Sequence, residues 1–284
     1  MPRHSHVAAA LLGSALSFMT SACSLGPQPA DAREEISPSP APRINQQSLL
    51  DPLPDLVLPV QEYMETESQR RRVSQARQTL INACLKSKRA KYRMPSSERV
   101  SLPSLMAGRY GPTNDAQSRY GYHFMMALGD GGASAEAPLE KEKAVVGNCS
   151  RKASEEVPSF TDNGLTDQIK QFSYVESMKL PEVSSVFGKW SDCMSSVGFT
   201  YKTPMDAMRD PRWDWKSAGP SKSEVSVAIR DAQCKQKFNV AQVWFQGEVE
   251  IQNKELTKRK KALEGIRMRL EERDATVRGI LERS

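Results

Sequence analysis

Histidine is almost missing from this chain. There are three, and two of them, His4 and His6, fall in the first six positions, which leaves His123 alone in the rest. A Ser-His-Asp site would have to use that one imidazole, and no Gly-x-Ser-x-Gly elbow accompanies it. A His-rich zinc centre is excluded by count, and cysteines committed to disulfides cannot ligate metal. No phosphate-cradling glycine motif occurs, so Gly129-Asp-Gly-Gly132 reads as a loop. No apolar run reaches the ~18 residues that a membrane-spanning helix needs. Aromatics make up 7% and apolar residues 38% of the chain, too little for a wholly globular protein, so part of it is expected to be disordered. Acidic side chains are plentiful, but no two stand out as a glycosidase pair. Glu248, Glu250, Glu255, Glu271 and Glu272 read as the solvated face of a charged helix, with partners such as Glu255 and Arg259 one turn apart. The expectation is a protein without catalytic residues, metal or cofactor.

What is present begins with an address. Arg3 precedes a 13-residue apolar run, Val7–Met19, and Thr20-Ser21-Ala22 leads to Cys23. A run this short suits the core of a signal peptide rather than a membrane span. Small residues immediately before a cysteine resemble a bacterial lipobox, in which that cysteine becomes the lipidated first residue. Thr20 departs from the aliphatic residue usual in that pattern, and plain secretory cleavage after Ala22 or at Ala30-x-Ala32 is the rival reading. The formal charge of +6 suits anionic envelope material. Export removes nucleic acid from consideration.

Residues 23–59 contain eight prolines, from Pro27 to Pro59. Prolines at this density block helices and strands, giving an expected disordered tether that reaches roughly 100 Å at about 3 Å per residue. Helical periodicity starts at Val60 and runs to Ser87 through Val73, Ala76, Leu80 and Cys84. Residues 95–138 are rich in Gly, Pro and Ser and read as irregular, with a short helix or hairpin near 92–125 or a hairpin after Tyr201. Helices are expected over Leu139–Ala153, around Leu165–Val175, and over Glu182–Ser196 behind Pro181. Residues 203–222 read as loop. Ser221-Lys-Ser-Glu224 has the form of a capping box. Beyond it Val249, Leu256, Leu263, Leu270 and Val277 recur every seven residues, which predicts one long C-terminal helix with a narrow, coiled-coil-like seam. That seam could close on the 60–87 helix, on a second copy, or on a partner helix.

Four cysteines follow Cys23: Cys84, Cys149, Cys193 and Cys234. An even number in an exported chain implies disulfides. Their surroundings repeat. Cys84-Leu-Lys-Ser87-x4-Tyr92-Arg-Met-Pro95 matches Cys193-Met-Ser-Ser196-x4-Tyr201-Lys-Thr-Pro204 in Cys, Ser, Tyr and Pro at identical offsets. Cys149-x-x-Lys152 matches Cys234-x-x-Lys237. The duplication favours Cys84–Cys149 and Cys193–Cys234, with cross-unit pairings as the alternative. The fold class expected is therefore mainly α, in two related disulfide-closed helical units, 60–158 and 159–284, behind a signal peptide (1–22) and a disordered Pro-rich N-terminal tether (23–59).

Trp190-x-x-Cys193-Met194, Gly198-Phe199-x-Tyr201-x-x-Pro204, Ser221-x-x-Glu224 and Asp231-x-x-Cys234 together resemble a group of actinobacterial lipoproteins of uncharacterised function. Arg109-Tyr110-Gly111 and Tyr120-Gly121-Tyr122-His123 extend the resemblance, which covers roughly residues 75–250. It implies an envelope location and disulfides, and carries no activity. The remaining local signal is Arg212-Trp213-Asp-Trp215-Lys216, where Trp213 and Trp215 could stack on sugar rings or be buried in an interface. The sequence thus points to a lipoprotein held on the outer face of the cell membrane by an acyl (palmitate) anchor on Cys23. There it would act as a non-catalytic interaction module toward an envelope protein. The alternatives are a cell-wall glycan binder and a carboxylate-based hydrolase.

Overall fold

A computed structural model describes residue 53 and residues 55–95, 105–127 and 137–283. The signal peptide, Cys23, the tether up to residue 52 and the Gly129–Gly132 loop lie outside the described residues.

Thr66 opens the first long helix. Its hydroxyl accepts from the Gln69 N–H while the Gln69 side chain accepts from the Thr66 N–H, a reciprocal cap that starts α1 (Glu67–Ser87). The next is α2 (Lys143–Glu156). Asp162 then accepts from the N–H groups of Gly164 and Thr166 to start α3 (Leu165–Ser177). Pro181 takes the first position of α4 (Pro181–Ser195), where its missing N–H costs nothing. Three helices complete the chain: α5 (Lys222–Lys237), α6 (Val240–Lys258) and α7 (Lys260–Glu282).

The fold is mainly helical, and no strand occurs among the described residues. Of the two alternatives for residues 95–138, the short helix is the one found, and after Tyr201 a short helix stands where a hairpin was the expectation. Asn114 caps Asp115–Ser118 through the Gln117 N–H (2.9 Å), and a 3-10 turn follows at Gly121–His123. After Tyr201, Thr203 caps Pro204–Met208 through the Asp206 N–H. Caps at the start of each stretch win over strand formation because they satisfy the first free N–H groups locally.

The single long C-terminal helix is also corrected. Asn239 adopts a left-handed conformation (φ 52°), and Arg259 leaves helical geometry (φ −108°, ψ 15°). A short polar side chain makes asparagine one of the few non-glycine residues suited to the first break. The heptad row is real in α7, where Leu263, Leu270 and Val277 are buried and the helix packs on α1. In α6 the buried face runs instead through Ala241, Trp244, Glu248, Gln252 and Glu255.

The main core gathers α3–α6 around Trp190, Trp213 and Trp244, all buried. Trp244 lies against Tyr174 (4.7 Å between centroids), Tyr110 (5.0 Å) and Phe187 (5.0 Å). Gly247 sets the approach of α6 to α4: a Cβ there would stand 3.0 Å from Leu180 and Val183. Leu56, Leu58 and Val60 enter this core, and the Val60 N–H donates to Gln252 Oε1 (3.0 Å). The packed domain therefore includes Leu56 and Leu58, which lie in the stretch expected to be disordered.

Cys84 of α1 bonds Cys149 of α2, and Cys193 of α4 bonds Cys234 of α5, with Cα–Cα distances of 5.7 and 5.9 Å. The two helix exits match locally: Ser87 Oγ donates to Cys84 O and Ser196 Oγ to Cys193 O, each at 2.7 Å.

Candidate functional site

Helices α5 and α6 carry charges into the interior, and the irregular segment 105–123 meets them. Asp231 and Lys235 sit one turn apart on α5, both buried, with Nζ and Oδ2 2.8 Å apart. Lys235 also donates to the Tyr110 carbonyl (2.5 Å), and Asp231 accepts from Trp190 Nε1 (2.9 Å) and Tyr122 OH (3.0 Å). Burial pushes the Asp231 carboxyl up and the Lys235 ammonium down, and each charge opposes the other's shift. Burial, followed by the Asp231 charge, also raises the Tyr122 phenol, which stays a donor.

A second group lies on α6. Glu248, fully buried, pairs with the Arg109 guanidinium and accepts from Tyr110 OH (2.8 Å) and Ser173 Oγ (3.2 Å). Arg109 donates onward to Lys170 O (2.9 Å) and covers the Tyr174 ring at 4.9 Å. Glu248 and Glu255 are therefore corrections to the solvated-face reading. Glu255 is buried too, held by Lys258 (2.8 Å) and Arg259 (3.0 Å). Glu248 thereby ties the segment carrying Arg109 and Tyr110 to α6.

Glu224 departs from the capping box in one half. Ser221 Oγ accepts from the Glu224 N–H (3.1 Å), but the Glu224 carboxylate turns inward to the Tyr122 N–H (2.7 Å) and His123 Nδ1 (2.7 Å). Gly121 makes this possible: it sits at φ +59°, and a Cβ there would collide with the Glu224 carboxylate. His123 Nε2 lies 3.1 Å from the Asp214 carbonyl and must donate to it, because a carbonyl only accepts. With an oxygen at each ring nitrogen, His123 is held rigidly from both sides, as a hydrogen-bonded loop side chain.

That rigidity bears on the tryptophan loop. Trp213 is 3% exposed, its Nε1 donates to Ala207 O (2.7 Å), and its ring stacks on Tyr122 (5.7 Å). It belongs to the core and cannot also stack on a sugar, which corrects its reading as a binding residue. Trp215 is different: 47% exposed, with its ring stacked on His123 at 4.7 Å and 27°. Beside it, Asp210 accepts from Arg212 (2.6 Å to Nη2) and Tyr201 OH (2.7 Å). Arg212 holds the Asp210 carboxyl well below the usual carboxylate range. Burial and the bond to Asp210 push the Tyr201 phenol up to about 12.

The structure thus places Trp215 at the surface, Trp213 beneath it, and Cys84, Cys149, Cys193 and Cys234 in two covalent links. Sequence reading missed Arg109, Asp231, Lys235 and Glu248 as interior residues. For Glu248 a signal was available in α6, where Glu248, Gln252 and Glu255 continue the spacing of Ala241 and Trp244. No group of three or more His, Cys, Asp or Glu placed to hold a metal ion occurs among the described residues, and no helix there is long and apolar enough to cross a membrane. No protein-family model, curated protein or solved structure matches the chain.

Proposed function

We propose that the chain is an extracytoplasmic lipoprotein, anchored through Cys23, that contacts an envelope protein through the Trp215 surface without catalysing a reaction. Trp215 carries the reading. A large aromatic ring is left half-exposed while His123, the ring it stacks on, is committed to internal hydrogen bonds. Exposed aromatics on a rigid support are typical anchors of protein interfaces. The flanking Arg212, two-thirds exposed, adds a cation at the rim. The two disulfides support an oxidising compartment. Matching serine bonds at both cysteine-bearing helix ends support descent of the two units from one ancestor, within the actinobacterial lipoprotein group that the sequence resembles.

A cell-wall glycan reading is favoured by the same ring in one respect: stacking on His123 fixes its plane in advance, as a sugar platform requires. One experiment separates the two. A photo-crosslinking residue replaces Trp215 in living cells, and adducts are identified by mass spectrometry. A reproducible protein adduct supports the interaction module. Adducts only to wall polymer replace it with the glycan reading, and an absence of both removes Trp215 from either role. Metabolic labelling with palmitate, lost on Cys23→Ala, tests the anchor.

A further inference from the structure

Away from the Trp215 surface, a cleft of ≈ 210 Å³ opens between α1, α7 and the residues that follow α2. Three guanidinium groups line it, from Arg70, Arg77 and Arg273, against a single carboxylate, Glu65. Glu65 is already paired with Arg273. The other two arginines are held by neutral acceptors: Arg70 donates to the Glu65 carbonyl (2.6 Å), and Arg77 to Val157 O (2.8 Å) and Ser159 Oγ (3.2 Å). Neutral acceptors position a guanidinium without cancelling its charge, so the cleft keeps an excess of two positive charges. The Arg273 side chain is only 9% exposed, its Nε has no acceptor, and its guanidinium lies over the Phe160 ring at 5.3 Å. Phe160 and Val73 supply an apolar wall.

We propose that this cleft binds a phosphate monoester carrying a small ring or apolar group. The dianion matches the two uncompensated charges, guanidinium forks match phosphate oxygens in two-point contact, and Phe160 receives the apolar part. The volume lies below the ~300–1,000 Å³ of sites for drug-sized ligands, which limits the occupant to a headgroup or a single phosphorylated ring. A phospholipid headgroup and a soluble phosphoester share this chemistry.

The test is calorimetric titration of the full chain at low salt with phenyl phosphate and with inorganic phosphate. Saturable binding is expected, several-fold tighter for phenyl phosphate. Arg70→Gln, at an exposed position that leaves the fold intact, weakens it about tenfold, the scale of one lost charge-assisted contact. Glu65→Gln strengthens it, because Arg273 is released to the ligand. Binding that is absent at millimolar phenyl phosphate, or unchanged in both variants, overturns the proposal. Flotation of the Cys23→Ala chain with vesicles of phosphatidylcholine, with and without a phosphomonoester lipid, assigns the source. Retention by the phosphomonoester vesicles that phenyl phosphate competes away identifies a headgroup, and phenyl phosphate binding without retention identifies a soluble ligand.

Discussion

The two disulfides close structures of unlike strength. Cys193–Cys234 lies in the main core, beside three buried tryptophans and the Asp231–Lys235 and Arg109–Glu248 pairs. Cys84–Cys149 joins α1 to α2 over a small cluster of Ile81, Leu85 and Ala153, while the neighbouring cluster has only Ala76, Val157, Val277 and Ile280 as its buried members. The ion pairs of α1, Arg72–Asp274 and Arg71–Glu67, are partly or largely exposed. Related local sequences thus stand in different surroundings. The surroundings of Cys84–Cys149 depend on the covalent link and surface contacts, those of Cys193–Cys234 on desolvated polar partners whose loss leaves a buried charge.

The largest effect should come from breaking a buried pair beside Cys193–Cys234. Lys235→Met leaves the Asp231 carboxylate unpaired and should cost about 3–5 kcal/mol in urea unfolding, while Lys235→Met combined with Asp231→Leu should cost less than the single change. A loss below about 1 kcal/mol for the single variant would erase the distinction between the surroundings of the two disulfides.

Next comes removal of each disulfide. The linked residues are 65 and 41 positions apart, so loop closure alone gives nearly equal contributions, roughly 4 kcal/mol apiece. The comparison predicts unequal local consequences. In hydrogen exchange, Cys84→Ser with Cys149→Ser should release α1 and α2 while α4–α6 stay protected. Cys193→Ser with Cys234→Ser should leave α4 and α5 protected up to global unfolding. Equal local release in both variants would contradict the argument.

A smaller effect concerns the start of α1. Thr66→Ala removes the acceptor for the Gln69 N–H and should cost about 1 kcal/mol. Thermal unfolding followed by circular dichroism measures it.

The smallest effect concerns acid. Arg212 keeps the Asp210 carboxyl below its unfolded value, so the native state binds this proton less readily than the unfolded chain. The associated stability is fully present above the unfolded pKa of about 3.9 and is lost as pH falls through that value toward the folded one. Asp210→Asn should flatten the drop in melting temperature below about pH 4 and leave its pH dependence near neutrality unchanged. An acid limb of unaltered slope would show that Asp210 does not contribute to it.

Much of the helical framework was legible in advance. Pro181 and the apolar stripe to Met194 marked α4 within a residue, and the row Leu263, Leu270, Val277 marked the buried edge of α7. The duplicated Cys-x-x-Ser pattern pointed to the pairing found. Less legible were the breaks at Asn239 and Arg259, because the seven-residue row runs across Arg259 and neither residue forbids a helix. The Trp215 surface was half legible: two tryptophans flanking Asp214 were visible, but nothing local said that one would be buried and the other exposed.

The amino-acid sequence by itself determined where helices start, through caps, prolines and periodicity, because those signals act over one or two turns. It also determined that the cysteines after Cys23 are even in number. Only the tertiary structure decided that Glu224, Asp231, Lys235 and Glu248 turn inward. A charge on a helix is cheap in water and costly inside unless partners meet it. Those partners, Arg109, Tyr110, Tyr122 and His123, arrive from more than 100 residues away along the chain.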